Sequence, residues 1–325
     1  MEQSPPTPNP SPASSPKRRA RINPDPAAHA EWPLKHVAQG VEILTALDRH
    51  GFLTNGQIAE LLYVDEPNSF GESRSARAAQ EAANRALRLL WKGEYLVRQR
   101  VVLTSRQGHP YLHFVNVLSA RGIAAVADYY RETESKQTVR SLEAPQLRQQ
   151  QLEHAIALND IYVLIARATR RQNITFALWR DDRQLTAMNR EQRTGFLSIP
   201  DAMFGLQRPG GGHTLYFLEL DLATESVFGV VPGRNTWRAK IERHEQYFKK
   251  QYGNEALFAG LPAPTVLCIT DGARRLANLI AATEEAGAAP GRYWFATRDE
   301  LANFWGAIWS GTNGQSGRSL LAQLG

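Results

Sequence analysis

The sequence predicts an α+β protein: a basic, mainly helical N-terminal unit followed by a C-terminal α/β domain with a mixed central sheet. Three observations predict it. Residues 36 to 130 run through three helical periodicities and then a hairpin pattern. Residues 152 to 305 alternate helical periods with short apolar runs of strand length. The cations gather in the first unit, where eight basic residues between Arg74 and Arg106 face only Glu81 and Glu94, a local excess of six.

Composition sets the outer limits. The 325 residues are 42% hydrophobic and 22% charged, close to globular averages, and suffice for two domains with a core each. Net charge is +6 with a pI near 9.5, which suits a nucleic-acid partner. The single cysteine, Cys268, has no internal partner for a disulfide, so a reducing, cytoplasmic location is expected. No run approaches eighteen apolar residues and the N-terminus lacks an apolar signal, so neither secretion nor a membrane partner is expected.

Residues 1–30 read as a tail, with six prolines in the first sixteen residues and a small cluster of Lys17, Arg18, Arg19 and Arg21. In the 31–130 unit, Val37, Val41, Leu44 and Leu47 recur at helical spacing up to Gly51. Thr54 is placed to cap a second helix that buries Ile58, Leu61 and Leu62. A third helix spans roughly Ser75 to Lys92, burying Ala79, Ala82, Ala86, Leu89 and Leu90. Val101 to Leu103, a turn at Gln107-Gly108, and Tyr111 to Val117 then alternate as a hairpin. Helix, helix, helix, hairpin is the order of a winged helix-turn-helix, in which the third helix enters the major groove and the wing follows the backbone. Arg74, Arg77, Arg85 and Arg88 on that helix and Arg106 at the wing tip are the candidate DNA contacts. A solvated helix face or a protein-docking module is the competing reading. Residues 131–150 read as a helical linker.

In the second domain, 151–310, a helix from Leu152 to Arg171 precedes strands at Ile174–Trp179, Leu197–Leu206 and Thr214–Asp221. A helix near Thr236–Tyr252, the strand Thr265–Thr270, a further helix and a strand at Tyr293–Phe295 complete the order, and residues 311–325 read as a flexible C-terminus. Side chains alternate along a strand, so Glu219 and Asp221 share one face and Leu218 and Leu220 the other. Asp201 sits on a strand that the hairpin at Gly210–Gly212 places alongside. Three carboxylates converging on a strand end repel one another and are costly to desolvate. A hard cation such as Mg2+ or Mn2+ relieves both penalties and can set a water against a phosphate. The alternative is that Glu219 and Asp221 pair with arginine or lysine across the sheet edge.

Pro200-Asp201, then Phe217-Leu218-Glu219-Leu220-Asp221, then a basic helix carrying Lys240, resembles the PD-(D/E)xK nuclease superfamily. Residues 36 to 305 together resemble the replication-relaxation family of plasmid and mobile-element proteins, relatives of the MobC-type relaxases. The resemblance implies a winged helix joined to a restriction-endonuclease-like domain. It also implies nicking or relaxing of double-stranded DNA at a plasmid origin or transfer region. A homodimer and replication or conjugation proteins are the further partners expected. Carried over by position, Asp201 and Glu219 match the motif acids, while Asp221 stands where the motif has lysine. Asp201, Glu219, Asp221 and Lys240 are therefore the candidate catalytic set, the three acids its metal ligands. Lys240 supplies the missing charge from the following helix, or the site is degenerate and the protein is a non-catalytic replication or transcription regulator. Arg238 and Arg243 on that helix are candidate phosphate contacts. Glu153 reads as a surface residue, with an outer carboxylate of the site as what the resemblance implies instead, and His154 and His244 read as residues on helix surfaces or capping the cleft. The scattered histidines lack the paired pattern of covalent relaxases, and Tyr129-Tyr130 read as packing residues.

Overall fold

The computed structural model describes residues 34, 37, 39–65, 74–104, 110–134, 149–192, 195–223, 226–227, 236–255, 258 and 261–324. The N-terminal tail, Arg106 with the turn at Gln107-Gly108, and most of the expected linker lie outside these residues.

The first unit runs α1 (Gly40–His50), β1 (Leu53–Thr54), α2 (Asn55–Leu62), α3 (Ala76–Lys92), β2 (Leu96–Thr104), β3 (Pro110–Leu118) and α4 (Ala120–Glu132). Thr54 caps α2 as expected: its hydroxyl accepts from the Gln57 amide, and the Gln57 side chain accepts from the Thr54 amide. Ser75 caps α3, which buries Ala79, Ala83, Ala86, Leu87 and Leu90. The buried stripe is turned slightly from the expected one, with Ala82 and Leu89 at its margin. The strands pair antiparallel in the order β1-β3-β2, with Leu53 opposite Asn116 and Arg100 opposite Phe114.

The second unit continues with α5 (Gln149–Arg171), β4 (Thr175–Asp181), α6 (Asp182–Gln192), β5 (Ala202–Gln207), β6 (His213–Asp221), α7 (Trp237–Lys250), β7 (Thr265–Thr270), α8 (Ala273–Glu285), β8 (Tyr293–Thr297) and β9 (Ser310–Gly311). The sheet order is β4 to β9 in sequence. Strands β4, β5 and β6 form an antiparallel meander, β6, β7 and β8 run parallel, and β9 returns antiparallel, so the expected mixed sheet is present. The β5–β6 turn has Gly210 at φ 72°, where a side chain would be strained, and closes through the Gly211 amide on the Arg208 carbonyl.

One face of this sheet (Phe204, Tyr216, Leu218, Leu220, Ile269) belongs to a cluster that contains Ile161 and Ile165 of α5. The other (Met203, Phe217, Val266, Cys268, Phe295) packs with Trp237, Ile241 and Tyr247 of α7 and Leu279 of α8. The expectation of two separate cores gives way here. The cluster on the α5 side is continuous with Leu44, Leu47, Ile58 and Leu87 of the first unit. Polar ties reinforce that seam. Asn159 donates to the Phe52 carbonyl, Arg49 to the Tyr162 hydroxyl, and Arg167 pairs with Glu60 and Asp65. The C-terminal residues expected to be flexible also pack. Leu320 and Leu324 are buried, and Arg208 donates to the Leu321 carbonyl. No helix among the described residues is long and apolar enough to cross a membrane.

Candidate functional site

The site forms where β5 begins and β6 ends. Pro200 leads into the strand, and the Leu220 amide donates to Asp201 Oδ2 at 2.7 Å. The antiparallel pairing of β5 with β6 thus brings Asp201 to the Glu219–Asp221 end, as the sequence reading requires. Glu219 and Asp221 share the face covered by α7 and α8, and both are buried.

A buried carboxylate is stable only when cations and hydrogen bonds replace its water. Glu219 has both. Lys240 Nζ donates to Oε2 at 2.8 Å, and His244 Nε2 lies 2.8 Å from Oε1. Lys240 and His244 are four residues apart and therefore on one face of α7. The helix begins at Thr236, whose hydroxyl accepts from the Ala239 amide. Asp221 is held differently. Arg275 on α8 grips it with Nε and Nη2, each at 2.7 Å, and the Thr270 hydroxyl on the neighbouring strand adds a bond at 2.8 Å.

Asp201 lies within the field of the same lysine. Burial alone would raise its carboxyl, but Lys240, His154 and the Leu220 amide outweigh it and hold the group at about 2. His154 Nε2 stands 3.4 Å from Asp201 Oδ2 and 3.3 Å from the Leu220 carbonyl, so it faces two acceptors and carries a proton. Burial lowers this imidazole, but Asp201 outweighs burial and raises it above the ordinary range.

The structure therefore assembles Asp201, Glu219 and Lys240, and adds His154, His244 and Arg275. His244, expected at a helix surface or the cleft mouth, is fully buried on Glu219. Its signal in the sequence was the spacing of four from Lys240; His154 and Arg275 left none. Of the two readings for the paired acids, ion pairing with basic side chains is the one the geometry shows. Five of the six oxygens on Asp201, Glu219 and Asp221 accept from protein donors. Among the described residues, no group of three or more His, Cys, Asp or Glu is placed to hold a metal ion. A three-carboxylate metal centre does not fit this donor set.

The candidate DNA contacts fall into two groups. Arg77, Arg85 and Arg88 are exposed on α3, opposite its buried stripe, and Arg74 lies 5.6 Å over the Tyr63 ring. Arg77 pairs at 3.1 Å with Glu81 on the same exposed helix face, a contact worth little. Arg238 and Arg243 are on α7, across the second sheet from α5, and Arg238 pairs with Glu242. Tyr247, one turn beyond, is buried in the core. Tyr130 also packs, its hydroxyl donating to Asp48.

Fold and site together define an α+β protein in which a basic helix-and-hairpin unit is fused to a mixed-sheet domain carrying an acid–lysine cluster. Residues 44–260 match the replication-relaxation family, and the chain belongs to it. No curated protein matches the chain. Among solved structures, the restriction endonuclease FokI matches at 11% identity with a TM-score of 0.23, over 86% of this chain and 70% of that one.

Proposed function

We propose that this chain is a double-stranded-DNA-binding protein of plasmid or mobile-element replication or transfer. In this reading the first unit is a winged helix, with α3 in the major groove and the hairpin along the backbone. The observation that carries it is the solvent face of α3, where Arg85 and Arg88 are exposed and have no acidic partner among the described residues. Phosphates would supply the missing counter-charge. Electrophoretic retardation of a duplex from the cognate origin or transfer region tests it, and a protein that leaves the duplex unshifted at low salt refutes it. Dimerisation on the duplex and docking of replication or conjugation proteins belong to the same proposal.

In the second domain we read the acid cluster as closed. Arg275 and Thr270 satisfy Asp221, and Lys240 and His244 satisfy Glu219, so the domain contributes structure and docking without cleavage. One observation favours a nicking activity instead. Lys240 bonds Glu219 and its charge reaches Asp201, and a lysine so placed could neutralise charge developing on a phosphate. Supercoiled plasmid carrying the cognate region, incubated with and without Mg2+ or Mn2+, separates the two. Metal-dependent nicking that disappears in Asp201→Ala overturns the closed-site reading. Intact plasmid under every condition, with DNA binding retained, supports it.

A further inference from the structure

Beyond the end where Leu96, Asn116 and Leu118 are buried, strand alternation gives the hairpin two faces with different fates. Val101, Val115 and Val117 turn inward with Leu152, Ala155 and Ile156 of α5. The opposite face carries Arg98, Arg100, Val102, Leu112 and Phe114, in register as Arg100 opposite Phe114 and Val102 opposite Leu112. A solvated sheet face ordinarily carries polar side chains. Here Val102 is 51% exposed, Leu112 58% and Phe114 41%.

The C-terminal turn of α3 extends this face. Trp91 is 50% exposed, and the Arg98 guanidinium lies 5.8 Å over its ring. The Arg100 guanidinium lies 5.7 Å over the Phe114 ring. Two aromatic rings and two arginines thus alternate across one surface. Among the described residues neither arginine has an acidic partner, and Arg98 Nε is buried without a hydrogen bond. Arg88 adds a like charge beside Arg98. Cations left uncompensated beside exposed rings call for an anionic partner with flat apolar faces.

A duplex meets only half of that description, because its bases are stacked away from solvent. An unpaired strand meets all of it: phosphates for the arginines, and base faces for the rings and guanidinium planes. We propose that the outer face of the hairpin, with Trp91, is a stacking surface for single-stranded DNA, taking up a strand opened beside the duplex held by α3. The proposal rests on the DNA-binding reading above, in which only the tip of the hairpin need follow the duplex backbone, and adds a separate ligand on the outer face of β2 and β3.

The test uses the full chain and fluorescence anisotropy with two probes. One is an oligothymidine of about 20 nucleotides, longer than the sites such surfaces occupy. The other is a duplex from the cognate region. The wild type is expected to bind both. Trp91→Ala and Phe114→Ala should each weaken oligothymidine binding about tenfold while changing duplex binding by less than about twofold. Trp91→Phe and Phe114→Tyr, which keep a ring, should restore most of the loss. A wild type that binds the duplex but not the oligothymidine overturns this inference and leaves the DNA-binding reading standing, pointing to a protein on this face. Alanine variants that bind oligothymidine normally, or that lose both probes equally, also overturn it. Failure to bind either probe overturns both readings.

Discussion

Arg275 and Asp221 form a two-pronged ion pair, Nε to Oδ2 and Nη2 to Oδ1, each at 2.7 Å, with the Thr270 hydroxyl completing the set. This pair explains how the Asp221 carboxylate survives burial at the end of β6. Its charge is cancelled from α8, while Lys240 on α7 cancels that of Glu219. The two helices therefore pin the end of β6 through charge as well as through apolar packing.

Breaking one half of such a pair strands a buried charge. Arg275→Leu is expected to lower unfolding free energy by about 3 to 5 kcal/mol, and Asp221→Asn/Arg275→Leu to recover most of that loss. Urea denaturation of wild type, single variants and double variant measures it. Additive losses in the double variant would show that the two side chains do not act as a pair.

Exposed arginines facing a phosphate backbone declare themselves through salt. Arg85→Ala and Arg88→Ala should each weaken duplex binding and lower the slope of log K against log salt by about one. Arg238→Ala, already paired with Glu242 on a different helix, should leave the slope closer to wild type. Unchanged slopes in both α3 variants would place a protein, not DNA, against that helix.

Much of this architecture was legible because its signals are local. Thr54 with Gln57 marks a cap, and the apolar run Thr265–Thr270 is a strand bounded as expected. Helix α6 gives no apolar period in the sequence because its eleven residues are mostly polar, and among its described side chains only Leu185 is fully buried. The C-terminal segment was misjudged for a similar reason. Leu320 and Leu324 anchor a stretch whose glycines and serines resemble a loose tail. Asp201, Glu219 and Lys240 could be found because a short motif joins them. Arg275 and His154 could not, since their meeting with the acids depends on where α8 and α5 cross the sheet. The fusion of the two cores through α5 was equally invisible, because helical periodicity names a buried face but not its partner.

His50 makes folding sensitive to acid. It is buried against Tyr162, ring centroids 4.1 Å apart, and burial together with Arg49 lowers it from 6.5 to about 3. Between those values the unfolded chain binds a proton that the folded chain refuses, so stability falls as pH drops through this window. The loss is roughly 5 kcal/mol in full. His154 has the opposite sign: its raised value stabilises the fold below 6.5 and is lost as pH climbs above. Thermal melting from about pH 6.5 to 5 stays above the range in which the unfolded chain begins to protonate Asp201. His50→Gln should flatten the decline over that range. An unaltered decline would assign it to other groups.

Gln57 joins the two units and caps a helix with the same side chain. Its Oε1 accepts from the Thr54 amide at 2.9 Å, while Nε2 donates to the Ile156 carbonyl at 2.9 Å and to Asp160 Oδ1 at 2.8 Å. Gln57→Ala removes all three bonds and should cost roughly 2 to 3 kcal/mol. Gln57→Glu is the sharper probe. It keeps the acceptor that serves the cap, loses the donor, and sets a second carboxylate against Asp160, whose own carboxyl burial already raises. Repulsion between the two should make this variant less stable than Gln57→Ala near pH 7. It should regain stability as one proton is shared between the carboxylates, on going from about pH 7 to 5. Chemical denaturation at both pH values reads this directly. A Gln57→Glu variant with the same pH dependence as Gln57→Ala would mean that Asp160 swings into solvent and that the seam between α2 and α5 does not depend on this tether.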